Sequence, residues 1–337
     1  MNQIIKNMVF QQCRLLFLIP LSLLTMVSCS VEKSGQQELK IAYVMAPGGT
    51  SHEAALKIGE LVEKYTNGEI KTRIYPNAIL GSDRILIEGL KLGSQDIVIT
   101  GTALIGWYTP EYGLIEAPFL FRDYDHLDKV LHGEIGKELE QQIFDKCKLR
   151  FLAYLHRGSR YLTTTNSEIR TPEDLKGLKM RVPELPVYIK SWEIFGANPT
   201  PITYSDMFMA LKQGVVDGQE NPLEVVYTSH LYETQSYVMN TRHLVGFYAV
   251  AVADRFYKKY SLEHQKIIIK AVLEAAEYQN GLVQMYEQEY REKLEEHGVT
   301  FIDVDREAFE KLAKEKLPRE FKDSWEPGVF ERIVDVR

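Results

Sequence analysis

The chain has 337 residues, 45% of them hydrophobic and 26% charged, which is enough apolar material for two packed domains. Its formal net charge of −7 argues against a nucleic-acid footprint, so an anionic ligand would need a locally basic pocket. Cys13 and Cys29 fall at the start of the chain, which leaves Cys147 as a small packed hydrophobe and offers no disulfide or cysteine metal cluster.

Before Cys29 the only charged side chains are Lys6 and Arg14, and "LLFLIPLSLLTMVSC" follows Arg14. A basic start, an apolar stretch short for a membrane span and small residues at its end make a secretory leader. Ser28 followed by Cys29 resembles a bacterial lipobox, in which the cysteine is lipidated and becomes the mature N-terminus. A plain secretory signal with a coincidental cysteine is the other reading. Residues 1–28 therefore read as signal peptide and 29–38 as a lipidated, polar tether to a membrane outside the cytoplasm. The expected location is periplasmic or cell-surface.

"LKIAYVM" opens the folded part as a strand. "TSHEAALKIGELVEKYTNG" has helical apolar spacing at Ala54, Ile58, Leu61, Val62 and Tyr65, with Thr50 or Ser51 as cap and Gly68 beyond its end. The strand "EIKTRIYP", the helix "GSDRILIEGLKLG" and the strand "DIVIT" complete a β-α-β-α-β order, the start of a doubly wound α/β fold. A helix over "DHLDKVLHGEIGKELEQQIFDKCK" and the strand "LRFLAYL" come next. In "TPEDLKG", Thr171, Pro172 and Asp174 form a capping-box-like turn just before the strand that carries Arg181. Further on, the helix "PVYIKSWEIFG", the strand "TPITY" and the helix "SDMFMALKQG", capped by Ser205, repeat the alternation. A helical pattern from Ser261 to His297, ended by Gly298, is long enough to brace two domains.

The usual nucleotide and hydrolase signatures are missing. "HEAAL" starts like a zinc motif, but Leu56 stands where the second histidine is needed, so no metal or other cofactor is expected. Cationic and amide groups gather where strands close: Arg157 and Arg160 in "YLHRGSRYLTTT", Arg181 in "KMRVPE", and Asn221 with Glu220 in "GVVDGQENPLE". In open α/β sheets ligands bind outside the carboxyl ends of strands, and an arginine there takes a carboxylate bidentately. Each residue also has a plain reading. A strand-end arginine is often a solvated surface charge, "DGQEN" is often only a turn, and His52 and Glu53 can be ordinary first-turn helix residues.

In order along the chain, "YPNAILGSDR", "EAPFLF", "RGSRYLTT", "TPEDLKGLKMRVPE", "FGANPTPITYSDMFMALKQGVVDGQENPL" and "TRHL" resemble the DctP family, the extracytoplasmic solute-binding proteins of TRAP transporters. The resemblance implies a two-lobed, periplasmic-binding-protein-like α/β fold in which ligand closes a cleft, and no enzymatic activity. It sets lobe I at 39–157 plus 247–286 and lobe II at 158–246 plus 287–337, with the long helix bracing both. It implies that Arg181 pairs with a ligand carboxylate, with Arg160 and Asn221 beside it, and that a membrane permease pair receives the ligand. Arg157 adds a second cation, and "TGTALIG" lacks the glutamate of sialic-acid-binding relatives, so a hexuronate or aldonate is favoured. His52 and Glu53 are the lobe I candidates for the ligand hydroxyls. A C4-dicarboxylate ligand, a sensor module and a sugar-acid enzyme using Glu53 or Glu220 are the alternatives.

Overall fold

A computed structural model describes residues 37–337, so the expected leader, tether and Cys29 lie outside the described residues. One sheet organises the chain. Its strands are β1 (Gln37–Ala42), β2 (Ile70–Tyr75), β3 (Ile97–Gly101), β4 (Leu149–Thr164), β5 (Lys179–Val182), β6 (Asn198–Pro201), β7 (Gly218–Pro222), β8 (Tyr237–Ala253) and β9 (Thr300–Ile302). The spatial order is β2-β1-β3-β8-β4-β7-β5-β6, with β9 beside β8. Two parallel blocks, β2-β1-β3 and β7-β5-β6, form the two ends. Between them β4 and β8 run antiparallel over 16 and 17 residues and belong to both halves. The doubly wound expectation holds at each end, and the two crossing strands make the middle.

These two strands share a defect. Pairing of β4 with β8 slips between His156 and Ser159, opposite Phe247 and Val245, and Gly158 takes φ +83°. A bulge of this kind bends the strand and re-aims its side chains. The sequence reading ended this strand at Leu155, because "HRGSRYLTT" lacks a two-residue alternation. The strand continues to Thr164, and residues 153–158 are all buried, so no polar face marks it. "DGQEN" likewise is no turn, since Gly218–Pro222 is the fully buried β7. The helix expected over 125–148 is two, Tyr124–His132 and Glu134–Cys147, with Gly133 between them.

The long helix is Leu262–Glu296, capped by Ser261, whose hydroxyl accepts the His264 N–H. Its 35 residues span about 52 Å at about 1.5 Å each. It packs on the helix Thr50–Tyr65, on β4 and on the helix Leu223–Thr228, and so braces both halves. At the bulge it grips β4: Gln279 Nε2 donates to the His156 carbonyl at 2.8 Å, and Asn280 Oδ1 accepts the His156 N–H at 2.7 Å. One large apolar cluster underlies most of the sheet, and a smaller one, around Tyr161, Met207, Val226 and Tyr290, fills the β7 end. The last helix, Val329–Asp335, returns to the β1–β3 end. There His126 meets the Ile333 carbonyl at 2.8 Å, and Arg332 pairs with Glu138 at 2.7 Å.

Candidate functional site

The lobes enclose a cavity of about 110 Å³ against the bulge. Arg157 and Arg160 reach it from β4, Arg181 from β5, Asn221 from β7 and Tyr248 from β8. The β1–β3 half contributes Ser82, Asp83, Arg84, Thr102, Trp107 and Glu116, and the loop after β6 contributes Thr203 to Ser205. Four of the six expected ligand residues, Arg157, Arg160, Arg181 and Asn221, therefore meet at one surface. His52 and Glu53 do not line this cavity. His52 instead turns its Nδ1 to the Tyr43 hydroxyl at 2.5 Å, and burial lowers its pKa.

Local structure explains how Arg181 is delivered. The capping box at Thr171 and Asp174 forms as read: Asp174 Oδ2 accepts the Thr171 N–H at 2.8 Å and fixes the turn Pro172–Leu175. β5 then runs to Val182 and stops before Pro183, which leaves Arg181 near the strand's carboxyl end. Arg157 and Arg160 reach the cavity differently. They sit in mid-strand on either side of Gly158, aimed by the bulge rather than by a strand end.

The three guanidiniums are all at least nine-tenths buried, but their charges are balanced differently. Arg157 Nη2 lies 3.2 Å from a Glu116 oxygen and 3.4 Å from the Tyr188 hydroxyl, which itself donates to Glu116. Arg160 binds Glu220 in a two-pronged ion pair, with Nη2–Oε1 at 2.6 Å and Nε against Oε2, and Nη2 also donates to the Glu220 carbonyl at 2.7 Å. Burial opposes the Glu220 charge, but Arg160 and then His243 outweigh it and hold the carboxyl down at about 2. His243 Nε2 stands 3.1 Å from Glu220, and burial keeps its own pKa low.

Arg181 has no such partner. Its Nε donates to the Ile202 carbonyl at 2.9 Å, and among the described residues no carboxylate lies within 4.0 Å of its guanidinium. Burial and the neighbouring Arg160 pull its pKa from 12.5 to about 10, with Glu220 only partly opposing. A buried ion without a counter-ion is expensive, so this cavity is built to receive an anion at one defined point. Across the cavity Asp83, partly buried, accepts from the Thr100 hydroxyl at 3.1 Å, and burial raises its carboxyl pKa. Asn221 gives its Nδ2 to Gln219 Oε1 at 2.6 Å and to the Met207 sulfur at 3.4 Å, a weak contact that a ligand oxygen can replace.

Sequence reasoning missed the acids. Glu116 lies inside "EAPFLF" and Asp83 inside "GSDR", both parts of the recognised pattern, but neither segment carries a local sign that its carboxylate turns inward. The partner of Arg160 was legible only through strand pairing. Arg160 sits opposite Pro222 and Leu162 opposite Glu220, a register that no single segment encodes.

The model of the bacterial extracellular solute-binding proteins of family 7, DctP, matches residues 41–323. A solute-binding protein of Roseobacter denitrificans is 37% identical over 84% of this chain and 86% of that protein. The crystal structure of a TRAP periplasmic solute binding protein from the same organism, with bound L-galactonate, aligns with a TM-score of 0.82 at 35% identity. It covers 88% of this chain and 98% of that one. One from Sulfurospirillum deleyianum with bound succinate aligns with a TM-score of 0.86 at 28% identity over 90% and 99%. One from Pseudomonas putida with bound D-glucuronate aligns with a TM-score of 0.80 at 29% identity over 89% and 97%. The chain belongs to this family of transport proteins, which bind solutes and are not enzymes.

Proposed function

We propose that this family member captures a small monocarboxylate rich in hydroxyls, a hexuronate or an aldonate, between its lobes and delivers it to a TRAP membrane permease. The observation that carries the reading is Arg181, a buried guanidinium with no carboxylate within 4.0 Å among the described residues, beside two arginines already neutralised by Glu116 and Glu220. A ligand carboxylate takes the Arg181 guanidinium as a two-pronged partner, with Arg160 and Asn221 next to it. The extra arginine, Arg157, lines the cavity but is paired with Glu116, so it supplies no second free charge. The preference for sugar acids rests instead on the opposite wall. Asp83 and the hydroxyls of Ser82, Thr102 and Thr203 suit ligand hydroxyls, and a charged Asp83 repels a second carboxylate. One observation favours the C4-dicarboxylate alternative: burial raises Asp83, and its neutral form would tolerate that second carboxylate.

The lobes divide at the bulge, with 39–157 plus 247–286 as lobe I and 158–246 plus 287–337 as lobe II, except that the helix Val329–Asp335 joins lobe I by its contacts. Ligand that touches both lobes only when they are closed shifts the equilibrium to that state. Anchoring of the chain through lipid at Cys29, and its secretion by the leader, belong to the same proposal. A thermal-shift and calorimetric comparison of D-glucuronate, L-galactonate and succinate tests the ligand class. The sugar acids bind more tightly under this reading, and Asp83→Asn narrows the gap by admitting succinate. Tighter succinate binding by the unaltered protein reverses the assignment.

A further inference from the structure

The helix Thr50–Tyr65 does not cap itself. Neither Thr50 nor Ser51 takes the cap position, as their sequence suggested; Gly49 does, without a side chain to offer. The first turn is satisfied from across the cleft. Glu224, in the first turn of the helix Leu223–Thr228 that follows β7, accepts the Thr50 hydroxyl at 2.8 Å and also the Thr50 backbone N–H. It is 9% exposed, and among the described residues no cation lies within 4.0 Å of it. Burial raises its carboxyl pKa, with the two hydrogen bonds from Thr50 partly opposing. The helix N-terminus and two donated hydrogen bonds offset that burial only while the lobes meet.

A second contact holds the same loop. Tyr290, from the part of the long helix that packs in the smaller apolar cluster, donates to the Gly48 carbonyl at 2.5 Å. Between these two contacts the fit is tight. A Cβ on Gly49 would stand 2.2 Å from Glu224 Oε1, although the Gly49 backbone, at φ −92° and ψ 172°, suits any residue. A side chain at this position would have to displace the Glu224 carboxylate, so glycine there makes room for the contact from the opposing lobe and does not serve its own conformation. Glu224 does not line the ligand cavity.

We propose that Glu224 and the Gly48–Thr50 loop form a latch between the lobes, made as they close and broken as they part, which sets ligand affinity without touching the ligand. The inference rests on the cleft-closure reading above. It assigns the double glycine of "PGGTSHE" a function in closure, and it makes Glu224 a positioning residue rather than a ligand contact.

Gly49→Ala is the decisive variant, because it is compatible with the folded lobe and clashes only in the latched arrangement. With saturating D-glucuronate its radius of gyration by small-angle X-ray scattering is expected to exceed that of the unaltered protein, while the free proteins, whose lobes no ligand draws together, differ less. Glu224→Ala is expected to do the same, while Glu224→Gln, which keeps an acceptor oxygen, remains compact. Affinity for D-glucuronate falls about 5- to 150-fold in Gly49→Ala and Glu224→Ala, the range of ordinary site coupling, through faster dissociation. The double variant Gly49→Ala/Glu224→Ala binds no more weakly than the weaker single one, since both remove one contact. Circular dichroism checks that each variant is folded, and Glu224→Gln serves if Glu224→Ala is not. A Gly49→Ala protein as compact as the unaltered one with saturating ligand overturns the latch. If the unaltered protein ignores D-glucuronate, the sugar-acid reading fails on its own, and the same scattering comparison with the carboxylate that raises its Tm most decides the latch.

Discussion

Replacing Arg181 with methionine separates stability from binding more sharply than any other change. In the free protein this guanidinium is buried, has one hydrogen bond to the Ile202 carbonyl, and has its pKa drawn from 12.5 to about 10. A depression of that size corresponds to a penalty on the order of 3 kcal/mol for holding the charge without its anion, at about 1.4 kcal/mol per pKa step. Methionine fills similar length and removes that penalty, but it leaves the Ile202 carbonyl without its donor, which costs about 1–3 kcal/mol. The free variant should therefore equal or exceed the unaltered protein by up to about 2 kcal/mol, a rise of a few degrees in Tm. Binding moves the opposite way. Removing one member of a buried, hydrogen-bonded charge pair costs about 2–5 kcal/mol, or roughly 30- to 5,000-fold in affinity. Calorimetry with D-glucuronate and L-galactonate, paired with ligand-free thermal melts, measures both signs. Affinity within threefold of the unaltered protein, or a free variant that melts markedly lower, refutes the reasoning.

Glu220 carries a pH dependence whose sign follows from its depressed pKa of about 2. Because the folded value lies below the unfolded one of about 4.5, the ionised group stabilises the protein fully above pH ~4.5, and that contribution disappears as pH falls toward 2. Glu220→Gln should flatten this acid limb in denaturant titrations and lower stability near neutrality by roughly 3–5 kcal/mol, since it strands Arg160. Glu116→Gln should strand Arg157 similarly, with a large fall in Tm and a smaller loss of ligand affinity than Arg181→Met; equal Tm values would show that the Arg157–Glu116 pair is dispensable. Trp107, on the cavity wall with Arg84 stacked 4.2 Å over its ring and its indole N–H 3.5 Å from the Glu184 carbonyl across the cleft, should change its fluorescence on carboxylate binding. Trp107→Phe should abolish most of that signal, and an undiminished signal would place the reporter elsewhere.

The ends of the sheet were readable because each is local. Apolar spacing, caps and turns within 60 residues fix β1–β3 and their helices, and the capping box at Thr171 delivers β5 as its sequence suggests. The middle was readable only in part: "LRFLAYL" marks the first half of β4, but beyond it β4 is largely buried and carries a bulge against β8, so neither alternation nor a turn residue marks its course. Arg181 stood out by its place before Pro183. That it lacks a counter-ion while the buried Arg157 and Arg160 have theirs depends on Glu116 and Glu220, which arrive from a distant turn and a neighbouring strand. His52 and Glu53 share the first turn of their helix with Thr50, and the element that reads that turn is Glu224 rather than the ligand cavity.

The two shared strands also govern the order in which the protein can be completed. β3 ends at Gly101 but pairs with β8, which ends at Ala253. A chain emerging from a ribosome or a translocation pore therefore holds an open sheet edge in its N-terminal lobe until three-quarters of its length is available. The β7 end in turn needs β4, made well before it. The β1–β3 end is thus not completed by a contiguous stretch of sequence, and fragments ending before Ala253 should recover structure there only when the missing strand is supplied as a separate peptide.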